Sequence, residues 1–191
     1  MFRYFLGFQV AVDRAGWLAR QLPPVSGDLF AGLKPQFYHL TLCTIEETQV
    51  PHPFLRQRVA NAFEAGLPAA SGIPFGRIVS KDAGAELVTV GSIANIRHFY
   101  EALVALLAPY DIEPRYRQAG LRPHISLGYG KHPFEPVPVV WNWIPRELVL
   151  IESHVGHSRH RVLQRWPLLA PVQGMFDFMD DALPPPMRHA A

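Results

Sequence analysis

The sequence predicts a mixed fold of strands and helices that is built from two related halves. Segments of alternating apolar residues, which are typical of strands, are separated by segments with helical spacing and by turns that contain Gly and Pro. Two four-residue segments of matching pattern, His39–Leu42 and His124–Leu127, lie one in each half of the 191-residue chain. A hydrophobic content of 49% is enough to build a core. These observations favour two related halves over a short-period repeat.

The first half of the chain begins with a strong strand pattern. Alternate residues from Phe2 to Val12 form one apolar face, as in a strand that buries one side. A short helix follows and is stopped by the Pro23-Pro24 pair. A Gly- and Pro-containing loop then leads to the strand that carries the first histidine motif, and a second helix ends at Gly66. The predicted strands are 2–12 and 36–46, and the predicted helices are 14–22 and 53–66.

The second half of the chain repeats this mixture of strands and helices. A turn at Lys81–Gly84 separates two strands, and Ile96, Phe99 and Leu103 give the next segment the apolar face of an amphipathic helix. The predicted strands are 73–80, 85–91, 120–129, 146–155 and 161–168, and the predicted helix is 95–108. We expect one domain over residues 1–170 and a partly disordered, proline-containing C-terminal tail over residues 171–191.

Charge and cysteine content argue against several classes of protein. The formal net charge is only +2, whereas a sequence-independent DNA binder would rely on many phosphate contacts. The single cysteine, Cys43, permits no intrachain disulfide and fits a reducing compartment. The N-terminal segment lacks the features of a signal peptide, and no apolar run approaches the roughly 20 residues that span a membrane. We expect a cytoplasmic enzyme with no membrane association and no obligate protein partner.

The first motif presents one polar and one apolar side if it lies on a strand. Residues i and i+2 of a strand point to the same face, so His39 and Thr41 share one face, while Leu40 and Leu42 share the other. The second motif, His124–Leu127, has the same pattern. Each motif therefore offers an imidazole and a hydroxyl on one side and packs into the protein with the other. A single His-x-Thr segment would indicate little more than a half-buried strand, whereas the matched pair indicates a site.

Two imidazoles and two hydroxyls are suited to the cleavage of a phosphodiester. A neutral imidazole can take a proton from attacking water, and an imidazolium can give a proton to the leaving oxygen. Histidine fits both tasks because its unperturbed pKa is about 6.5. Hydroxyl groups can donate hydrogen bonds to the phosphate oxygens that carry charge. We therefore predict that His39, Thr41, His124 and Ser126 are catalytic residues that need no metal and no cofactor.

With these motifs the sequence resembles the 2H phosphoesterase superfamily, in particular the LigT-like RNA 2′,3′-cyclic phosphodiesterases, also named 2′-5′ RNA ligases. Members of this family carry two motifs of the form histidine, apolar residue, Thr or Ser, apolar residue. The resemblance extends over about residues 2–168. The segments that carry it are Arg3–Leu6, Tyr38–Leu42, Pro123–Leu127, Leu148–Ser153 and Trp166–Leu168.

The resemblance implies a bilobal α+β fold in which two antiparallel sheets face each other across a central groove, with helices on the outside. His39 and His124 would then meet at the bottom of that groove. The resemblance also implies that His39 protonates the leaving ribose oxygen and that His124 activates water. Reversible 2′-5′ RNA ligation is a further activity that it implies.

Two departures from the family pattern bear on the substrate. Many LigT-like members have an arginine two residues after the second motif, where this chain has Tyr129. Many also have an aromatic residue shortly after the first motif, where this chain has Thr44 and Ile45. An arginine that steadies the phosphate would therefore have to come from elsewhere in the chain.

Four further residues are candidates for substrate binding. Arg122 and Phe37 each lie two residues before a motif histidine and should face the groove. Arg122 would contact a phosphate and Phe37 would stack on a base, with an exposed charge and ordinary aromatic packing as the alternatives. Tyr129 should point away from the groove unless Gly128 creates a bulge, and Lys131 is a candidate cation at the groove edge.

The spacing of His154, His157 and His160 also suggests a metal site. Histidine is a common metal ligand, but this segment resembles the turn of a hairpin and matches no strong metal-binding pattern. A histidine-rich metal-binding protein is therefore the weakest alternative function. Cys43 has the same strand parity as His39, which would place it on the groove side without making it a nucleophile.

The leading functional hypothesis is hydrolysis of a 2′,3′-cyclic phosphate at an RNA end or on a nucleotide, giving a 2′-phosphate. A second hypothesis keeps the chemistry and changes the substrate to another small nucleotide, such as the cyclic phosphate of ADP-ribose. The modest net charge and the tyrosine at position 129 favour that alternative. A third hypothesis is a nucleotide- or RNA-binding module without turnover, although binding alone would not require both imidazoles and both hydroxyls.

Overall fold

The structure is a computed structural model that describes residues 1–24, 30–81, 84–115, 121–130, 133–157 and 159–169. These residues form nine strands and three α-helices in a mixed α+β arrangement. The strands are β1 (Phe2–Gln9), β2 (Phe30–Gly32), β3 (His39–Thr48), β4 (Ile73–Lys81), β5 (Gly84–Thr89), β6 (His124–Gly130), β7 (Val137–Trp143), β8 (Glu147–His154) and β9 (Arg159–Pro167). The helices are α1 (Val12–Gln21), α2 (Leu55–Ala62) and α3 (Ala94–Leu107), and a 3-10 helix at Pro35–Phe37 precedes β3.

The strands form an antiparallel sheet that consists of two halves. The strand order is β7-β4-β5-β6-β3-β1-β8-β9, and β2 pairs with β6 beside this path. The halves meet where β3 lies next to β6, and the described residues form one register pair there, Leu40 with Ile125. The α+β fold class is thus confirmed, with the two antiparallel sheets of the prediction joined at this pair.

The main hydrophobic core lies between one face of the sheet and the three helices. The apolar residues of both histidine motifs are buried in it: Leu40, Leu42, Ile125 and Leu127. The helices contribute apolar residues at helical spacing: Ala15, Leu18, Leu55, Val59, Ile96, Phe99, Leu103 and Leu107. A smaller cluster on the other face consists of Phe5, Val149, Ile151 and Val162. The motifs are therefore anchored from the helical side, as their alternation predicts.

Several segments differ from the predicted elements. Strand β2 lies in the predicted loop, and the start of the predicted strand 36–46 is the 3-10 helix Pro35–Phe37, so strand parity does not apply to Phe37. The predicted strand 2–12 ends at Gln9, and Val12 is instead the first residue of α1, with 77% of its surface exposed. Helical side chains point toward the N-terminus, so this first residue projects beyond the helix and is left uncovered. Strand β7 was not predicted. It contains Pro138, and its position at the sheet edge makes a proline acceptable.

A β-bulge in β3 changes the alternation just beyond the first motif. Gly7 pairs with Thr41 and Leu6 pairs with Cys43, which leaves Leu42 as an extra residue between them. Leu42 and Cys43 are therefore both buried in the main core. The prediction that Cys43 lines the groove is wrong, because the bulge reverses its parity relative to Thr41. Burial raises the pKa of the Cys43 thiol to about 12, which keeps it protonated.

A second bulge has the same effect just beyond the second motif. Leu127 is an extra residue between Ser126 and Gly128, whose partners are consecutive residues of β5. Leu127 and Gly128 are both buried, so Tyr129 returns to the face of Ser126, where 49% of its surface is exposed. A Cβ at position 128 would lie 2.1 Å from the ring of Phe30, so any larger residue there would require that ring to move. The bulge that would turn Tyr129 toward the face of the motif histidines is thus present.

Some predictions concern residues outside the described ranges. Lys131 and the C-terminal tail at 171–191 both lie there. Within the described ranges, none of the helices combines the length and the apolar character that crossing a membrane requires.

We predict that Leu40→Ala and Ile125→Ala both destabilise the fold strongly, because each side chain is 0% exposed at the joint between the halves. The expected loss in the free energy of unfolding is about 2–5 kcal/mol for each, measured by urea denaturation. Val140→Ala is the matched control: Val140 lies on an edge strand with 91% of its surface exposed. Its effect should stay within about 0.5 kcal/mol. If Leu40→Ala and Ile125→Ala lowered the free energy of unfolding no more than Val140→Ala does, the result would contradict the importance of the joint.

Candidate active site

His39 is the first residue of β3, and the residue two positions earlier fixes its ring. Nδ1 of His39 lies 2.6 Å from the carbonyl oxygen of Phe37. A carbonyl oxygen only accepts hydrogen bonds, so Nδ1 carries the hydrogen, and in the neutral ring Nε2 keeps its lone pair. The ring also stacks on Phe5, with the two centroids 4.9 Å apart. These contacts leave Nε2 as the nitrogen available to a substrate.

His124 repeats this arrangement at the start of β6. Its Nδ1 lies 2.9 Å from the carbonyl oxygen of Arg122, again two residues earlier in the chain. By the same reasoning Nδ1 donates to the carbonyl, and Nε2 is the nitrogen that remains available. The two motifs therefore share a backbone contact as well as a sequence pattern.

The pairing of Leu40 with Ile125 determines which groups of the two motifs come together. In an antiparallel pair, the residues that flank a register pair also come opposite each other. The described residues form only the Leu40–Ile125 pair. A regular ladder continued from it would set His39 opposite Ser126 and Thr41 opposite His124. Neither hydroxyl has a hydrogen-bond partner within the part of the chain that the structure describes.

The charge of His39 is controlled by its surroundings. Burial lowers the pKa of His39 to about 4, and His160 and His124 lower it further as neighbouring positive charges. The hydrogen bond to Phe37 opposes this change but does not reverse it. His39 is therefore neutral at pH 7, which is the form that can accept a proton. The influence of His124 also indicates that the two imidazoles lie within electrostatic range of each other.

Glu86 on β5 lies beside His124 and was not predicted as a site residue. Glu86 pairs with Ser126 and is therefore on the same face of the sheet, and its Oε1 lies 3.8 Å from Nε2 of His124. Arg122 donates two hydrogen bonds to the Glu86 carboxylate, at 2.8 and 2.9 Å. Burial raises the pKa of Glu86, but the Arg122 hydrogen bonds and the charges of His124 and Lys81 outweigh it, so the pKa stays below its usual value. An ionised carboxylate thus stands next to His124.

This ion pair changes the interpretation of Arg122. Its side chain remains 55% exposed near the motif, as a phosphate contact would require. Both terminal nitrogens nevertheless bind Glu86, so the guanidinium is already paired with a carboxylate. Direct binding of phosphate by Arg122 therefore stays a prediction.

Phe37 and Tyr129 occupy different surroundings in the site. The Phe37 carbonyl holds His39, and its ring lies edge-on to His160 with centroids 5.7 Å apart. Burial raises the pKa of the Tyr129 hydroxyl, while the nearby Arg3 guanidinium lowers it. Arg3 also binds Glu47 on the neighbouring strand. The charge of Arg3 thus acts on Tyr129 from the other half of the sheet.

His160 is a third imidazole at this site, and the sequence pattern did not identify it. Its ring lies 5.2 Å from that of His39, centroid to centroid, at an interplanar angle of 74°. His154 and His157 instead contact each other at the hairpin end, with centroids 4.1 Å apart. The three histidines whose spacing suggested a metal site are therefore in two different places. Among the described residues, no group of three or more His, Cys, Asp or Glu side chains could hold a metal ion.

The chain was compared with known proteins at the level of sequence and of structure. No protein-family model matches it, and no curated protein matches it significantly. Solved structures do match. TT0787 of Thermus thermophilus gives a TM-score of 0.68 at 18% identity, over 88% of this chain and 98% of that one.

Two other matches concern LigT and a phosphoesterase. E. coli LigT complexed with 3′-AMP gives a TM-score of 0.65 at 18% identity, over 87% of this chain and 97% of that one. A crystal structure described as a phosphoesterase also gives 0.65, at 17% identity, over 88% and 99% of the two chains. E. coli LigT has also been solved with NADP+, ATP and phosphate. These similarities confirm the LigT-like fold that the sequence resemblance predicts.

We predict that at pH 7 the neutral His39 ring carries its proton on Nδ1, and that it titrates near pH 4 because burial disfavours the charged ring. Two-dimensional ¹H–¹⁵N spectra that correlate ring nitrogens with ring protons would measure both properties. The exposed His98 on α3 provides an internal reference within the same spectra. A proton on Nε2, or a midpoint at or above the unperturbed value of about 6.5, would contradict the site as described.

Proposed function

We propose that this protein is a phosphodiesterase that hydrolyses 2′,3′-cyclic phosphates of RNA ends or nucleotides to 2′-phosphates without a metal. The observation that carries the proposal is the matched pair of imidazoles. Carbonyl groups two residues earlier hold Nδ1 of both His39 and His124, so that both Nε2 atoms are available for proton transfer. The LigT-like fold supports the same chemistry.

The proposed reaction needs one proton acceptor and one proton donor. Water attacks the phosphorus and gives a proton to the neutral imidazole, while the bond from phosphorus to the ribose 3′-oxygen breaks. The second histidine, which is protonated at the start, gives its proton to that leaving oxygen. The products are a 2′-phosphate and a 3′-hydroxyl. Thr41 and Ser126 would donate hydrogen bonds to the non-bridging oxygens, where charge develops in the transition state. The pairing of Leu40 with Ile125, the apolar residues that follow the two motif histidines, supports this arrangement.

The electrostatics of the site favour His39 as the base and His124 as the acid. His39 is neutral at pH 7, because burial lowers its pKa to about 4. The ionised Glu86 carboxylate, 3.8 Å from Nε2 of His124, can pair with a protonated imidazole there. This division is the reverse of the one that the family resemblance implies.

A nucleotide substrate is supported by the LigT structures and by the charges of the groove. E. coli LigT has been solved with 3′-AMP, ATP and NADP+. In this chain Arg122 is paired with Glu86, and Tyr129 stands where many relatives have arginine. The pairing of Arg122 and the tyrosine at position 129 favour a small nucleotide over a long RNA backbone, so another small nucleotide, such as the cyclic phosphate of ADP-ribose, is the second candidate.

We predict that His39→Ala and His124→Ala each lower kcat for a nucleoside 2′,3′-cyclic phosphate by about 10²–10⁴-fold, the usual contribution of a general acid or base. Phosphorus NMR would follow the substrate and identify the 2′-phosphate. The control His98→Ala changes an exposed histidine on α3 and should retain full activity. EDTA should have no effect on the wild type. Full activity in both site variants, or tight binding of the cyclic phosphate without any product, would overturn the proposal.

The division of roles predicts different responses to a better leaving group. A 4-nitrophenyl ester of a nucleoside phosphate releases nitrophenolate, which needs little help from a general acid. His124→Ala should therefore lose much less activity on this ester than on the cyclic phosphate, whereas His39→Ala should lose similar activity on both. Steady-state rates measured by absorbance and by phosphorus NMR would give the comparison. The opposite pattern would assign the acid to His39.

A further inference from the structure

Arg3 on β1 lies on the same face of the sheet as the polar side chains of the first motif. Strand β1 pairs with β8 without a bulge, so Arg3, Phe5 and Gly7 are alternate residues that share one face. Gly7 pairs with Thr41, and the ring of Phe5 stacks on that of His39. Arg3 therefore belongs to the groove wall, about 7 Å along the strand from Phe5.

Glu47 holds the guanidinium of Arg3 through one nitrogen only. The two residues pair across β1 and β3, and Nε of Arg3 donates to Oε1 of Glu47 at 2.5 Å. A guanidinium also carries N–H groups on both terminal nitrogens. Among the described residues, the terminal nitrogens of Arg3 have no hydrogen-bond partner. The side chain is 40% exposed, so a ligand in the groove can reach these nitrogens.

This arrangement differs from that of Arg122, the arginine that the sequence pattern singled out. Both terminal nitrogens of Arg122 bind Glu86, which occupies the planar fork that arginine uses to bind a phosphate. In Arg3 the same fork is available. The Glu47 carboxylate offsets part of the positive charge, but it also fixes the plane of the guanidinium before a ligand binds. Arg3 is therefore the better placed of the two arginines to bind an anion.

The charge of Arg3 also reaches the second half of the sheet. Tyr129 lies on the face of Ser126, at the position where many relatives have arginine. Burial raises the pKa of the Tyr129 hydroxyl, and the positive charge of Arg3 opposes this change. A cation of the first half thus acts at the position where the second half lacks one.

The attachment of Arg3 to Glu47 indicates which group of a substrate it would bind. His39 is the first residue of β3, whereas Glu47 is the last but one, so the guanidinium is tied to the other end of the strand. This position favours a second anionic group over the phosphate that is cleaved. In a nucleoside 2′,3′-cyclic phosphate, the ribose hydroxyl that remains to carry another phosphate is the 5′-hydroxyl.

We propose that Arg3 binds a phosphate attached to the 5′-oxygen of the ribose whose cyclic phosphate is hydrolysed. The proposal rests on the proposed function and adds a second phosphate to its substrate. That phosphate is either the 5′-phosphate of a mononucleotide or the preceding phosphodiester of an RNA end. Both present the non-bridging oxygens that the arginine fork recognises.

The experiment compares adenosine 2′,3′-cyclic phosphate with the same compound carrying a 5′-phosphate. We expect the wild type to favour the 5′-phosphorylated substrate on the order of 10- to 100-fold in kcat/KM, because hydrogen bonds to charged groups are strong. Arg3→Met should lower this ratio to near one, and Arg3→Lys should retain part of it. A wild-type ratio near one, or a ratio that Arg3→Met leaves unchanged, would overturn the proposal.

Two further variants separate phosphate binding from other effects of Arg3. Arg3→Met leaves the Glu47 carboxylate in the groove, where it would repel a phosphate. In Arg3→Met/Glu47→Gln this repulsion is removed, and the ratio should still be near one; recovery of the wild-type ratio would mean that Arg3 only neutralises Glu47. If Arg3→Met does not fold, Arg3→Gln is judged by the same ratio, because it keeps an N–H donor for the carboxylate.

Arg161 provides a matched control on β9. It also binds a single carboxylate, that of Glu152, but both side chains lie on the opposite face of the sheet from Arg3. Arg161→Met should therefore keep the wild-type ratio. A decrease as large as that in Arg3→Met would contradict a local role of Arg3.

Binding of the products tests Arg3 independently of turnover. Calorimetry with adenosine 2′,5′-bisphosphate and adenosine 2′-phosphate should give the same preference and the same dependence on Arg3. If the wild type hydrolyses neither cyclic phosphate, the proposed function fails, and these affinities still decide the role of Arg3. A dinucleotide that ends in a cyclic phosphate distinguishes the two sources: a larger gain with it than with the mononucleotide would indicate an RNA end. Equal affinity for both products would overturn the proposal.

Discussion

The backbone pairing of Leu40 with Ile125 is the contact on which the candidate site depends. It joins the two halves of the sheet, and both side chains are 0% exposed in the main core. Because the pairing is antiparallel, it brings the two histidine motifs side by side in opposite directions. A shift of one residue would turn these groups toward the helices and bring the leucines into the groove. Core packing therefore maintains the register of the site.

The two motif histidines have the same ring orientation but different surroundings. The carbonyl two residues earlier orients both rings in the same way, so the difference lies in what surrounds each ring. His39 is buried among aromatic rings and loses its charge, whereas His124 stands beside the Glu86 carboxylate. Arg122 keeps that carboxylate ionised through two hydrogen bonds. A symmetrical pair of motifs thus acquires the asymmetry that acid–base chemistry requires.

Strand parity was sufficient to predict the burial of Leu40, Leu42, Ile125 and Leu127 and the common face of each imidazole and hydroxyl. It failed for Cys43, because the bulge in β3 depends on how this strand pairs with β1, and no glycine or proline marks it in the sequence. Glu86 became apparent through its register opposite Ser126, which no local motif encodes. His160 formed part of an apparent metal spacing, and only the pairing of β8 with β9 brings it toward His39. Local patterns thus predicted the motifs, whereas their neighbours depend on long-range pairing.

His39 and His124, from opposite halves of the sheet, are proposed to act on one phosphate. The most direct measurement is a titration of the protein with a nucleoside 2′-phosphate, the proposed product, followed through the ring signals of both histidines by NMR. We predict that both signals move together, with a single dissociation constant and one ligand per chain. A shift of one histidine alone, or two unrelated midpoints, would contradict a shared site.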